Sequence, residues 1–255
     1  VAQFNKIEFN LFSKNLVSSF AASVLSFIPG YLGIEVHQDK IIIGILPTLI
    51  GNDTNDYFQE KETFVRNYGN RLSEYNATPI GIILDKEQVP ISTLELCDGF
   101  ILPGGNRIER SWYETIDYAI KHNKPLLGIC LGSEAIDIYS VIKDHLPKNY
   151  TDEDIIQTYQ QLKKEHDGTL LSRLPDNLGH FHEINKDNVD IARHKINIKD
   201  DTILKSIFNS STESIVSLHH HDYKLVGKDF IISATASDNT KEAIEYKDKN
   251  YFILG

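Results

Sequence analysis

The residues of this chain best suited to chemistry are Gly128-Ile129-Cys130-Leu131-Gly132, where an apolar run over 125–129 meets a cysteine set between two glycines. A helix-like pattern follows. When a strand turns sharply into a helix, its corner residue is held in a strained, exposed position. The residues two before and two after must then be small enough for the two backbones to approach. The N–H groups of the first helical turn, and the positive end of the helix dipole, would face the sulfur. They would lower its pKa and hold an oxyanion formed beside it. The chemistry that follows is acyl transfer through a thioester. The other reading of Cys130 is a buried apolar filler at a strand end, the commoner fate of a free cysteine.

Such a corner needs a sheet to hold it. Residues 41–46, 79–84, 99–102 and 125–129 read as continuous apolar strands, with amphipathic helices expected over 57–75 and 109–122. Strands apolar on both faces and separated by helices predict an α/β fold, a mostly parallel central sheet with helices on both faces. Ligands of such sheets bind at the carboxyl ends of the strands, where both Cys130 and the loop Pro103-Gly104-Gly105 fall. The final third changes character: short extended runs at 189–198, 215–218, 230–236, 243–246 and 251–254 predict mixed or antiparallel strands completing the sheet. Residues 1–39 are expected to form an N-terminal extension to a domain spanning 40–255. Its charge-free run over 16–28 is too short to span a membrane. That run reads as a helix packed on the domain or used in dimerisation, with a signal-peptide core as the alternative.

Composition narrows the function. A net charge of −10 without a strong Lys/Arg cluster argues against nucleic acid or an anionic membrane as the main partner. A small polar substrate fits better. The only two cysteines, Cys97 and Cys130, are too few for a disulfide framework and too scattered for a zinc site, so a reducing, cytoplasmic setting is expected, and the cysteine chemistry read at Cys130 needs no metal and no cofactor. Cys97 is expected to be inert. The chain begins at Val1 and contains no Met, so both ends are treated as open.

Leu102-Pro103-Gly104-Gly105, taken with Gly128-Ile129-Cys130-Leu131-Gly132, resembles the class I glutamine amidotransferase superfamily, whose fold is flavodoxin-like. Within it the chain is most similar to the γ-glutamyl-γ-aminobutyrate hydrolase (peptidase C26) family. Asp167-Gly168-Thr169-Leu170 with Leu174-Pro175, the segment 194–204, Ser217-Leu218-His219-His220, Glu242-Ala243-Ile244-Glu245 and Phe252-Ile253-Leu254-Gly255 carry that similarity. The resemblance implies that Cys130 attacks a γ-glutamyl amide, with the oxyanion held by the Leu131 N–H and an N–H of the Gly104-Gly105 loop. It also implies that His219 and His220 border the glutamyl pocket. For the His219-His220-His221 run, a solvated loop or a satisfied edge strand stays open as the alternative. Glu134 stands where the pattern has Gln, a position from which a carboxylate would repel a nearby substrate α-carboxylate or favour an α-ammonium.

The superfamily activates its cysteine with a His-x-Glu pair just after the strand that here reads 251–255. The expectation is that this pair lies in chain beyond Gly255, with His180, His182 or His220 as substitute bases. About 25 residues over 141–166 look inserted, as a lid or partner surface or as a decorating helix pair, with an N-cap at Thr151. Three functions follow. The first is a cysteine hydrolase of small γ-glutamyl amides. The second is a glutaminase domain feeding ammonia to a synthetase partner, and the third is an inactive γ-glutamyl-binding or scaffolding relative. A homodimer is a further possible partnership.

Overall fold

A computed structural model describes residues 41–50, 61–85, 88–105, 107–184 and 187–255. The N-terminal extension, with the helix expected over 16–28, lies outside the described residues.

The first two-thirds of the chain supplies strands β1 (Ile42–Ile45), β2 (Thr48–Ile50), β3 (Lys61–Thr63), β4 (Thr78–Gly81), β5 (Gly99–Leu102), β6 (Leu126–Gly128) and β7 (Leu171–Arg173). The last third supplies β8 (Arg193–Ile198), β9 (Thr212–Val216), β10 (His221–Tyr223), β11 (Phe230–Ala236), β12 (Lys241–Tyr246) and β13 (Ile253–Leu254). Nine of these strands form one sheet in the order β4-β1-β5-β6-β13-β12-β11-β8-β9. From β4 to β13 neighbouring strands are parallel, and from β13 to β9 they are antiparallel. The parallel half and the mixed C-terminal strands thus follow the expectation from sequence.

The apolar runs of the central strands are continuous because β5 and β6 are buried on both sides. In β5, Phe100 and Leu102 join one core cluster while Ile101 between them joins the other. The two-residue period of a strand does this to β6 as well, with Leu126 on the first side and Leu127 on the second. Four helices feed the first cluster: α2 (Ile91–Leu96), α3 (Arg110–Lys121), α4 (Leu131–His145) and α5 (Asp152–Glu165), through Leu94, Trp112, Ile136 and Leu162 among others. Helices α1 (Arg66–Glu74) and α6 (Ile203–Phe208) cover the second through Leu72, Ile203, Leu204 and Ile207. Each such side chain contributes roughly 1.5–3 kcal/mol by leaving water.

Three local expectations change. The helix expected over 57–75 is confined to Arg66–Glu74, and Lys61–Thr63 instead pairs antiparallel with Thr48–Ile50; residues 57–60 lie outside the described residues. Paired threonines favour the strand: Thr63 Oγ1 donates to the Thr48 carbonyl at 3.0 Å, and the two hydroxyls are 2.9 Å apart. Residues 141–145 of the apparent insertion continue α4, and α5 begins at a capping box between Thr151 and Asp154. Ile155 and Leu162 then anchor α5 in the core against α3 and α4. A separate antiparallel pair, β7 with β10, was not foreseen; it brings residues 171–173 beside the His219–His221 segment.

Candidate active site

The corner at Cys130 has the geometry its glycines suggested. Cys130 sits at φ 55°, ψ −113°, a strained conformation for a residue with a side chain, as N-cap of α4. A Cβ on Gly128 would lie 2.5 Å from the Gly132 carbonyl oxygen, and one on Gly132 would lie 2.2 Å from the Leu102 carbonyl oxygen. Only glycine fits at either place. The corner is locked by Ser133 N–H and Glu134 N–H donating to the Cys130 carbonyl at 2.9 and 3.1 Å.

The backbone N–H groups of Leu131 and Gly105 both point at the Cys130 sulfur. Both belong to the groups that the sequence expectation named beside the cysteine. Gly104 does something different: its N–H donates to the Tyr68 hydroxyl at 3.4 Å, while its missing side chain leaves room for Cys130 Cβ, which a Cβ there would meet at 3.3 Å. The thiol reaches solvent and donates to the Leu218 carbonyl at 3.6 Å. The expected lowering of its pKa does not occur. Burial among neighbouring atoms and the Glu134 carboxylate push the thiol above its ordinary value, outweighing the two N–H groups.

Cys130 opens into a cavity of about 440 Å³ lined also by Tyr68, Ser133, Glu134, His219, His221, Lys241, Glu242 and Gly255. Glu134 is 5% exposed, and burial lifts its carboxyl to about 7 against the opposing pull of His219. His219 donates or accepts at both ring nitrogens, Nδ1 at 2.8 Å from the His221 carbonyl and Nε2 at 3.3 Å from Glu242 Oε1. Burial depresses its pKa, but the Glu242 carboxylate more than reverses this and holds it above the ordinary value.

His220 is a correction. Alternate residues of an extended segment face opposite ways, so the cavity receives His219 and His221 while the His220 ring stacks on Phe181 at 3.9 Å between centroids. The substitute bases fare similarly. His180 is engaged by Asp238 and Glu242, His182 by the Gly179 carbonyl, and neither lines the cavity. Among the described residues no histidine is hydrogen-bonded to the Cys130 sulfur. None of residues 141–166 lines the cavity either. Sequence reasoning missed Tyr68, His221, Lys241 and Glu242 as wall residues. The resemblance puts Glu242 in the strand pair that closes the site, but nothing in its spacing shows that its own side chain enters the wall. Cys97 is fully buried and donates to the Thr93 carbonyl, with its thiol pushed up to about 11 by burial first.

Residues 154–255 match the sequence model of the Peptidase C26 family. A glutamine amidotransferase-like protein of Rickettsia prowazekii, RP404, is 28% identical over 261 residues, covering 86% of this chain and 90% of that protein. The chain is similar to members of the class I glutamine amidotransferase-like superfamily. A second glutamine amidotransferase-like protein, YvdE of Lactococcus lactis, is 24% identical over 235 residues, covering 84% of this chain and 88% of that protein. The fold is shared with a glutamine amidotransferase of Thermotoga maritima (TM-score 0.51, 13% identity, 84% of this chain and 74% of that one). It is also shared with the acivicin-bound glutaminase domain of Trypanosoma brucei CTPS (TM-score 0.54, 17% identity, 84% of each chain). These likenesses support an amidotransferase-like hydrolase or amidotransferase. Among the described residues no helix is long and apolar enough to cross a membrane.

Proposed function

We propose that the protein is a cysteine-dependent hydrolase of γ-glutamyl amide bonds in small molecules or peptides, acting in the cytoplasm. The observation that carries this reading is the convergence of the Leu131 and Gly105 N–H groups on a solvent-reached cysteine at the floor of a cavity. Cys130 adds to the amide carbonyl, the two N–H groups hold the oxyanion, and the amine leaves with a proton. Water then hydrolyses the thioester to release glutamate. These steps draw on no cofactor. The Glu134 carboxylate suits a substrate α-ammonium, which distinguishes a free γ-glutamyl group from an N-acylated one.

The raised pKa of the thiol makes a base essential. Gly255 lies in the cavity wall, pairing with Ile244 through N–H···O bonds of 2.8 and 2.9 Å. The resemblance assigns that base to a His-x-Glu pair. The test is release of amine from γ-glutamyl-p-nitroanilide. The expected result is turnover that Cys130→Ala abolishes, with an acyl-enzyme visible by mass. Turnover unchanged by Cys130→Ala would refute the assignment.

A second reading, a glutaminase domain supplying ammonia to a synthetase partner, is favoured by the amidotransferase-like character of both curated relatives. It predicts glutamine hydrolysis that rises on adding the partner. The raised thiol pKa favours the third, an inactive γ-glutamyl-binding relative. It predicts glutamate binding with no amine release from any γ-glutamyl compound.

A further inference from the structure

We propose that His180, His194 and Glu242 form a binding site for a divalent transition-metal cation of zinc-like preference, which clamps the wall of the Cys130 cavity from behind. This goes beyond the hydrolase reading and does not depend on it.

The three side chains come from separate parts of the chain. His180 follows a short 3-10 turn (Asp176–Leu178), His194 is in β8 and Glu242 is in β12. Their donor atoms all lie within 4.8 Å of one another. His180 Nδ1 and His194 Nε2 are each 3.1 Å from the same oxygen, Glu242 Oε1. Tetrahedral zinc with bonds of about 2.0–2.1 Å separates adjacent donor atoms by about 3.3 Å, so the two nitrogen–oxygen spacings are close to edges of a coordination tetrahedron. Two imidazole nitrogens and a carboxylate oxygen are the donor set that zinc-like ions take in preference to magnesium or calcium.

The directions of the rings agree with the distances. His180 Nε2 is 2.8 Å from Asp238 Oδ2, so its proton is committed outward. In the tautomer with that proton on Nε2, Nδ1 faces inward, the arrangement in which a carboxylate orients a metal-bound histidine. Ser217 Oγ is the other group near that nitrogen, at 3.3 Å. His194 Nε2 is buried and, though 3.1 Å from Glu242, makes no hydrogen bond of acceptable geometry. A cation among the three donor atoms would satisfy the buried His194 nitrogen together with the carboxylate. His180 and Glu242 are each 3% exposed, while His194 is more open and gives the ion a route in.

A fourth position remains for water or for His219, whose Nε2 is 3.3 Å from Glu242 Oε1 on the cavity side. The clamp would therefore fix the segment that carries Leu218 and His219. Its backbone is already tied to the same cluster by His219 N–H donating to the His180 carbonyl at 2.9 Å.

The test titrates EDTA-stripped Cys130→Ser protein with Zn²⁺ by calorimetry and with Co²⁺ by visible absorption, a background in which the active-site sulfur cannot compete. The expected result is one equivalent bound, tetrahedral Co²⁺ bands, a zinc-dependent rise in melting temperature, and stoichiometric binding lost in His194→Ala. Asp238→Ala should weaken binding by about 10–100-fold. No bound equivalent, or binding unaltered by both His194→Ala and Glu242→Gln, would overturn the site. Should those variants unfold, X-ray absorption of the zinc-loaded wild type reads the ligands directly. Two imidazoles at about 2.0–2.1 Å support the proposal, and a sulfur at about 2.3 Å contradicts it.

Discussion

Gly132→Ala is the sharpest probe of how Cys130 is presented. A Cβ at Gly132 would sit 2.2 Å from the Leu102 carbonyl oxygen and 2.7 Å from its carbonyl carbon, whereas ordinary contact begins near 3.4 Å. The first turn of α4 and the end of β5 must then part by roughly 1.2 Å, since neither neighbour is the tip of a flexible side chain. That same Leu102 oxygen accepts the Ile129 N–H at 3.0 Å, a bond the shift would stretch or break. Overpacking costs about 1–3 kcal/mol and a lost internal hydrogen bond about 0.5–1.5 kcal/mol. At about 2–4 °C per kcal/mol for a chain of this size, the melting temperature should fall by about 5–15 °C. Iodoacetamide should modify Cys130 at least several-fold more slowly or faster than in wild type, because the Leu131 N–H no longer holds its aim. Gly69→Ala is the control. A Cβ there meets only Pro79 at 3.5 Å inside α1, so replacing a mid-helix glycine should stabilise by about 0.5–1 kcal/mol. If Gly132→Ala melts within 2 °C of wild type and is alkylated at the same rate, the strand-to-helix corner is not the tight one described. Calorimetry and timed labelling read both outcomes.

Three further expectations concern the titrating groups. Under native conditions iodoacetamide should label Cys130 and spare Cys97, which is fully buried with its thiol near 11; peptide mapping that finds Cys97 modified first would contradict this. Glu134→Gln removes the carboxylate that helps hold the Cys130 thiol up, so alkylation at pH 7.5 should become faster by several-fold; a slower reaction would show that Glu134 assists the thiolate instead. Asp137 is fully buried with neither carboxyl oxygen hydrogen-bonded among the described residues, and burial lifts it to about 8. In the unfolded chain it ionises near 4. The unfolded state therefore binds fewer protons between about pH 4 and pH 8, and this group withdraws stability as pH rises through that window. Asp137→Asn should melt above wild type at pH 9 and level with it near pH 3.5; a difference independent of pH would mean that packing, not charge, is responsible.

The parallel half of the sheet was legible because its chemistry is repetitive: 99–102 is apolar on both faces, and the strand occupies those residues. The cysteine corner was legible for a different reason, since Gly128 and Gly132 are demanded by backbone contact rather than by preference. What escaped was long-range. The direction of the thiol's pKa depends on Glu134 and on how deeply the corner is covered, quantities set by the approach of the 215–221 segment. The choice of His221 over His220 turned on which side of an extended chain faces inward. The grouping of His180, His194 and Glu242 joins residues up to 62 positions apart through a sheet order that no local pattern encodes. The short strand at 61–63 was hidden within a stretch whose apolar spacing also suits a helix.

The central claim is that Cys130 forms a covalent bond with the side-chain carbonyl end of a glutamyl ligand. Intact-mass and peptide-mapping analysis after exposure to 6-diazo-5-oxo-norleucine tests it most directly. The account predicts a single adduct on Cys130, slowed by added glutamate and absent from Cys130→Ala. A protein that remains unmodified, or carries its adduct on Cys97, would contradict it.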